Sequence, residues 1–358
     1  MEEFESRSQP ASTRREFMKI GAIAAAMSVV KDGARAQGRP GSIDVHAHWS
    51  PEPYIKLVIA AGQTPRIPGK PIDARMFDLD RRLKWMDERG VQTHVLTLSG
   101  SMPWQWAKAD EAVQLAQTVN DAAVEAHTAF PNRFIAAAAV PIRDPAAALK
   151  ELNRVAGKPG IRAVGLPNSI EGRDYLFEPE YLPFLARCEE LGYPLLFHPL
   201  DGTPNAYGGK DRLTGPNFTY NTLGFPFESA TTAAKFIFSG ALDKFPKLDV
   251  VLPHSGGCFP YIAGRIEHSI MKGAVGAKPQ RPVREYVRRF HYDSLAYYPE
   301  TLRFMINLLG SDRIVIGTDN YATMDVEYPN ALVESLKLPA GDHERIMRRN
   351  AERLFRLG

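Results

Sequence analysis

The feature that most constrains this chain is an alternation. Short β-branched or apolar runs recur along it, and each is followed by an amphipathic helical pattern. The predicted strands are Ile43–Ala47, Thr93–Leu98, Phe134–Val140, Ala163–Leu166, Pro194–His198, Asp249–Pro253, His291–Ser294 and Arg313–Gly317. Predicted helices span 78–89, 107–129, 144–156, 178–191, 226–243, 259–271, 299–309 and 328–336, and a last one covers 341–355. Eight strand–helix units predict an α/β fold, a single (β/α)8 TIM barrel over residues 37–358. A doubly wound open sheet is the alternative. It wants a glycine-rich turn after its first strand, whereas here that strand runs into His46-Ala47-His48-Trp49. Two long loops rich in Gly and Pro, 49–72 and 199–225, leave the strand ends where barrel enzymes build their sites.

A length of 358 residues admits two domains or one large barrel, and the N-terminus bears on the choice. Thr13-Arg14-Arg15-Glu16-Phe17-Met18-Lys19 precedes a continuous apolar stretch from Ile20 to Val30, and Ala34-Arg35-Ala36 fits a small-x-small cleavage site. The segment matches a twin-arginine signal, S/T-R-R-x-F-L-K, except for Met in place of Leu. Residues 1–36 are therefore expected to be an export signal, which implies a periplasmic mature protein that folds before export. The apolar run is too short to span a bilayer. Two Cys make neither a disulfide framework nor a zinc ribbon, and a net charge of +3 gives no reason to expect nucleic acid.

The strongest chemical signal is a set of His and Asp residues at strand ends. Asp44-Val45-His46-Ala47-His48 places two imidazoles at i and i+2, on one face of a strand. His198 ends the fifth strand, His254 follows the sixth and Asp319 follows the eighth. Five groups able to bind a metal or a proton thus fall at one end of the predicted barrel. Three neutral imidazoles and a carboxylate suit zinc with a coordination position left open. The other histidines (His94, His127, His268, His291 and His343) lack this placement and read as structural.

These residues resemble the amidohydrolase superfamily, and more closely its aminocarboxymuconate-semialdehyde decarboxylase branch. Phe197-His198-Pro199-Leu200-Asp201 is similar to that branch's F-x-H-P-W-D region. The run from Ser239-Gly240 through Phe245-Pro246-Lys247-Leu248 and His254-Ser255-Gly256-Gly257 to Gly264-Arg265-Ile266 follows its pattern almost residue for residue. Met86-Asp87-Glu88-Arg89-Gly90-Val91 is similar to its M-D-x-x-G-V helix end, and the likeness extends from residue 42 to about 325. By that resemblance His46, His48, His198 and Asp319 bind one zinc. His254 is the acid/base, with Asp319 also at the reacting centre. Arg265 binds a substrate carboxylate in a neighbouring subunit, which implies a homodimer. Leu200 stands where the branch has Trp, Asn320-Tyr321 stands where it has an aromatic residue and Pro, and a second carboxylate-binding Arg is replaced at best by Lys70 or Arg66.

Trp104, Trp106 and Tyr321, with Trp49, Tyr207 and Phe225, are candidates for an aromatic-lined pocket that takes a flat, unsaturated acid. Cys258 reads as a spectator. The expected activity is decarboxylation of an aromatic or muconate-like carboxylic acid. Hydrolysis of a lactone or amide on the same scaffold is the alternative, and a non-catalytic metal-binding protein is disfavoured because a closed site needs no fifth group such as His254.

Overall fold

The computed structural model describes residues 41–63, 73–98, 102–200, 220–274, 279–322 and 324–357. The expected export signal over 1–36 lies outside the described residues, as do Arg66, Lys70 and Tyr207. The body Gly41–Gly358 is one compact unit.

Its eight strands are β1 (Ser42–His48), β2 (Val91–Thr97), β3 (Phe134–Ala138), β4 (Ile161–Pro167), β5 (Leu195–His198), β6 (Val250–Leu252), β7 (Phe290–Asp293) and β8 (Ile314–Val315). They pair in sequence order, every neighbouring pair parallel. The Val45 N–H donates to the Ile316 carbonyl at 2.9 Å, and bridges Asp44–Ile316 and Ala47–Asn320 bring the last strand back to the first. The open-sheet alternative is therefore excluded. Within the described residues no helix is long and apolar enough to cross a membrane.

Helices cover the outside in the expected order. α1 (Glu52–Ala60) was not anticipated: the stretch 49–72, read as a loop, contains it, started by Pro51 before an acidic first turn. α2 (Leu79–Arg89) starts where the Asp78 side chain accepts from the Arg81 N–H, and stops at Gly90, whose φ of 67° is left-handed. α3 (Ala109–Ala129), α4 (Pro145–Val155) and α5 (Leu182–Leu191) follow. The helix expected over 226–243 is two, α6 (Phe225–Phe238) and α7 (Ala241–Lys244), because Gly240 at φ 72° takes the chain out of helical geometry. α8 (Phe259–Met271), α9 (Val283–Val287), α10 (Pro299–Leu309) and α11 (Pro329–Ser335) complete the ring. The last expected helix is α12 (Ala340–Glu344), a π turn over Arg345–Arg349, and α13 (Asn350–Phe355).

Two apolar layers hold this together. The larger lies between strands and helices and includes Trp85, Phe134, Phe184, Phe236 and Phe259. The smaller fills the barrel itself: Ile43, Val45, Val95, Ile135, Ala137, Leu196, Val251 and Val315 meet Leu354 and Phe355 of α13, which stops the base. The mouth is left to other residues.

Candidate metal centre

β1 brings the first two imidazoles together by breaking its own pleat. Asp44 pairs with His94 but Ala47 pairs with Leu96, so β1 carries one extra residue between them, a β-bulge. Ile43 and Val45 fill the barrel interior. Across the bulge, which holds Val45 and His46, the phase shifts by one, and His46 and His48 join the cluster at the strand's C-terminal end. His198 closes β5. His254 and Asp319 sit on turns after β6 and β8, in left-handed backbone at φ 53° and 58°, with Ser255 at φ 58°. Non-glycine residues held there cost energy and concentrate at sites where side-chain aim matters.

The geometry brings the expected ligands to one point. His46, His48, His198 and Asp319 are all buried, and one ligand atom from each lies within 4.8 Å of all the others. Asp319 Oδ1 is 2.8 Å from His48 Nε2, 3.3 Å from His46 Nε2 and 3.8 Å from His198 Nε2. Those four atoms are buried without an accepted hydrogen-bond partner. An unpaired buried polar atom costs about 1–3 kcal/mol. A cation shared by the four relieves all of them, and three imidazoles with a carboxylate are a donor set that holds a divalent transition metal. A His/Asp metal site is present.

Neighbouring groups orient two of the imidazoles. His46 Nδ1 donates to Asp293 Oδ2 at 2.8 Å, and His198 Nδ1 donates to the Pro199 carbonyl at 2.6 Å. Each bond leaves Nε2 turned inward, where a metal would take it in place of a proton. Burial opposes a charge on His46, but Asp293 and Asp319 outweigh it and raise its pKa to about 10. His48 has Asp319 alone, and burial lowers it to about 4. Burial likewise lowers His254 to about 3 against the pull of Asp319, so its imidazole is neutral. His254 Nε2 stands 4.0 Å from Asp319 Oδ2, on the other side of that carboxylate, with Phe225 stacked on its ring at 6.1 Å.

Two groups that sequence reasoning passed over support the ligands. Asp293, the last residue of β7, carries His46 and the turn after β6; the strand-end position that singled out His198 also marks it. Asp44, within β1, accepts from the His46 N–H at 3.0 Å and from Thr318 Oγ1 at 2.5 Å, with burial raising its pKa to about 6. Beside it the fully buried Arg82 donates to the His48 carbonyl at 2.6 Å and meets His94 Nδ1 at 3.1 Å. His94 is thus structural, as its mid-strand place suggested.

A pocket at the cluster is lined by His46, His198 and Asp293 together with apolar groups such as Leu98, Met102, Trp104, Leu166 and Phe197. Ala137, Ala138, Ala139 and Gly165 contribute only small groups to the lining. Of the expected wall residues Trp104 lines it, and Phe225 packs edge-on against His198 at 5.8 Å. Trp106 is half-buried against the outer core and Trp49 lies within that core. Tyr321 is buried under Arg75 and Arg82, their guanidinium carbons 4.2 and 4.9 Å from its ring centre, and is not among the lining residues. Arg265 sits on the exposed side of α8, also away from this chain's own pocket lining. Cys258, half-buried just before α8, does not line the pocket, and burial pushes its thiol up.

The family profile of the amidohydrolases matches residues 43–357, the whole barrel. The chain belongs to the amidohydrolase family. This amidohydrolase is 31% identical over 269 residues to 2-amino-3-carboxymuconate-6-semialdehyde decarboxylase of Dictyostelium discoideum, spanning 74% of this chain and 73% of that protein. It is 30% identical over 333 residues to γ-resorcylate decarboxylase of Rhizobium sp. strain MTP-10005, spanning 88% of this chain and 98% of that one. The crystal structure of dihydroxybenzoic acid decarboxylase from Polaromonas sp. JS666, with bound manganese and the inhibitor 2-nitroresorcinol, aligns at a TM-score of 0.75 and 28% identity, covering 89% of this chain and 98% of that chain. The resemblance to the decarboxylase branch therefore holds, and this amidohydrolase is an enzyme of the metal-dependent carboxy-lyase or hydrolase type.

Proposed function

We propose that this amidohydrolase is a zinc-dependent decarboxylase of an aromatic or unsaturated, muconate-like carboxylic acid. The observation that carries the proposal is the buried three-imidazole, one-carboxylate cluster facing a narrow apolar pocket, with His254 beside it and outside the ligand set. Relatives named for decarboxylating γ-resorcylate and aminocarboxymuconate semialdehyde support the reaction class. Zinc is favoured by the nitrogen-rich donor set. Manganese, bound in the Polaromonas relative, is the competing metal.

His46, His48, His198 and Asp319 would hold a divalent ion, which would supply positive charge to polarise an oxygen of the acid. The protein groups do the rest. Trp104, Leu98 and Phe197 enclose a flat ring and exclude water. The bond from ring carbon to carboxylate breaks, its electron pair stays on the ring carbon, carbon dioxide leaves, and that carbon gains a proton. His254 and the facing Asp319 oxygen, 4.0 Å apart, are placed to hold and hand on that proton. Substrate binding by Trp104 is supported by its place in the lining. The same role for Trp106, Tyr321 and Arg265 needs movement or, for Arg265, a second subunit, and we propose a homodimer in which Arg265 serves the partner's pocket. Residues 1–36 are proposed to be a twin-arginine signal that delivers the enzyme to the periplasm.

A panel of hydroxybenzoates and aminocarboxymuconate semialdehyde, set against a panel of lactones and amides, tests the reaction. The expected result is carbon dioxide release from an acid with no ring opening. Turnover confined to the lactones or amides, without gas, overturns it and establishes the hydrolase reading. Elemental analysis of protein purified without added metal tests zinc, the sedimentation coefficient tests the dimer, and the N-terminal mass of the exported protein tests cleavage after Ala36.

A further inference from the structure

We infer that Asp293 is a positioning residue that ties the ligand His46 to the proposed acid/base His254. Its carboxylate, 1% exposed, is saturated with donors. Oδ2 accepts from His46 Nδ1 at 2.8 Å and from the His254 backbone N–H at 2.8 Å, and Oδ1 accepts from the N–H groups of Ser255 at 2.7 Å and Leu295 at 3.2 Å. The first bond sets the tautomer and aim of His46. The second and third hold His254 and Ser255 in the left-handed turn that presents the His254 ring. One carboxylate thus fixes both the ligand and the turn that carries the proton-transfer group. The backbone is shaped for this approach: a Cβ on Gly317 would lie 2.7 Å from Asp293 Cβ and 3.1 Å from His46 Cβ, so β8 passes only if residue 317 has no side chain.

Asp293→Asn tests the link. An amide keeps the shape but has one acceptor oxygen, so in either orientation its NH2 faces two N–H donors. Turned toward His46, it favours the tautomer with the proton on Nε2, which cannot ligate. Turned the other way, it repels the Ser255 and Leu295 N–H groups. Metal affinity, measured by chelator competition, is expected to fall about 10–100-fold. Asp249→Asn removes a carboxylate 3.5 Å from the buried His291 Nε2 on the same strand pair and is expected to leave that affinity unchanged. In the background of His46→Ala, Asp293→Asn is expected to add no further loss of affinity. Metal binding within twofold of wild type in Asp293→Asn, or an equal loss in Asp249→Asn, overturns the inference. If Asp293→Asn does not fold, 15N NMR of imidazole-labelled wild-type protein decides: the metal-loaded enzyme must show His46 protonated at Nδ1, and a bare Nδ1 overturns it. The role toward His254 rests on the function proposed above, and it reads out separately as a shifted pH profile of kcat in fully metal-loaded Asp293→Asn. A wild-type profile there removes that half alone, while an enzyme with no decarboxylase activity leaves the affinity result standing.

Discussion

The two ends of the barrel are built from the same eight strands by opposite rules. At the base, Ile43, Val45, Val315, Leu354 and Phe355 pack apolar surface on apolar surface. At the mouth, four buried polar atoms point at one another with no hydrogen bond between them, and residues such as His254 and Asp319 sit in left-handed backbone. The base gains stability from burial. The mouth gives some up for aim, and recovers part of it through Asp293, Asp44 and the metal the four atoms are arranged to hold. Conserving one strand pattern while changing its phase is how β1 serves both ends: the bulge between Asp44 and Ala47 separates core residues from ligands.

That contrast can be broken by mutation. At the mouth, His198→Ala removes a ligand, so bound metal and carboxy-lyase activity should both disappear while circular dichroism stays that of a folded barrel; activity with metal retained would contradict the ligand assignment. His254→Ala should lower kcat by about 10²–10⁴-fold with metal content unchanged. Loss of metal in that variant would make His254 a ligand. At the base, Leu354→Ala should cost about 2–5 kcal/mol of unfolding free energy in denaturant titration while leaving the metal affinity of the folded protein alone. A drop in affinity as large as that of a ligand variant would mean that the two ends are not separable.

The smallest effect expected is electrostatic. Burial holds His291, near the base, below its ordinary pKa of 6.5 despite Asp249, and Asp249 is itself held below 3.8: burial alone would raise it, but the partnership with His291 prevails. The unfolded chain therefore binds more protons than the folded one as pH falls below about 6.5 at the histidine, and below about 3.8 at the carboxylate. Both contributions are lost on acidification and neither on alkalinisation. Replacing His291 by Gln should flatten the decline of stability as pH falls below about 6.5. An unchanged slope would show that His291 does not titrate on unfolding.

Most of the fold was legible because a parallel barrel writes itself as repeated apolar runs, and all eight strands fell within a few residues of their expected places. Helix breaks were less so. Gly240 ends α6 through a left-handed φ that a hydrophobic pattern does not register, and α1 hides in a segment read as loop because Gly and Pro flank it. The cluster of His46, His48, His198, His254 and Asp319 was legible from strand-end position alone. Asp293, Asp44 and Arg82 were not singled out, since each acts through a contact distant in sequence: Asp293 reaches His46 across 247 positions. Tyr321 shows the converse limit. Its neighbour Asp319 suggested the pocket, but the backbone beyond Asp319 turns its ring under Arg75 and Arg82.

The central claim is that the mouth holds a metal and uses it, with these residues, to release carbon dioxide. Its most direct test follows gas from purified enzyme given an ortho-hydroxybenzoate such as 2,6-dihydroxybenzoate in deuterated water, before and after chelation and after zinc or manganese is restored. The account predicts one carbon dioxide per phenol formed and one deuterium at the carbon that lost it. Activity should vanish with the chelator and return with about one metal per chain. Release of carbon dioxide by fully metal-free protein would contradict it.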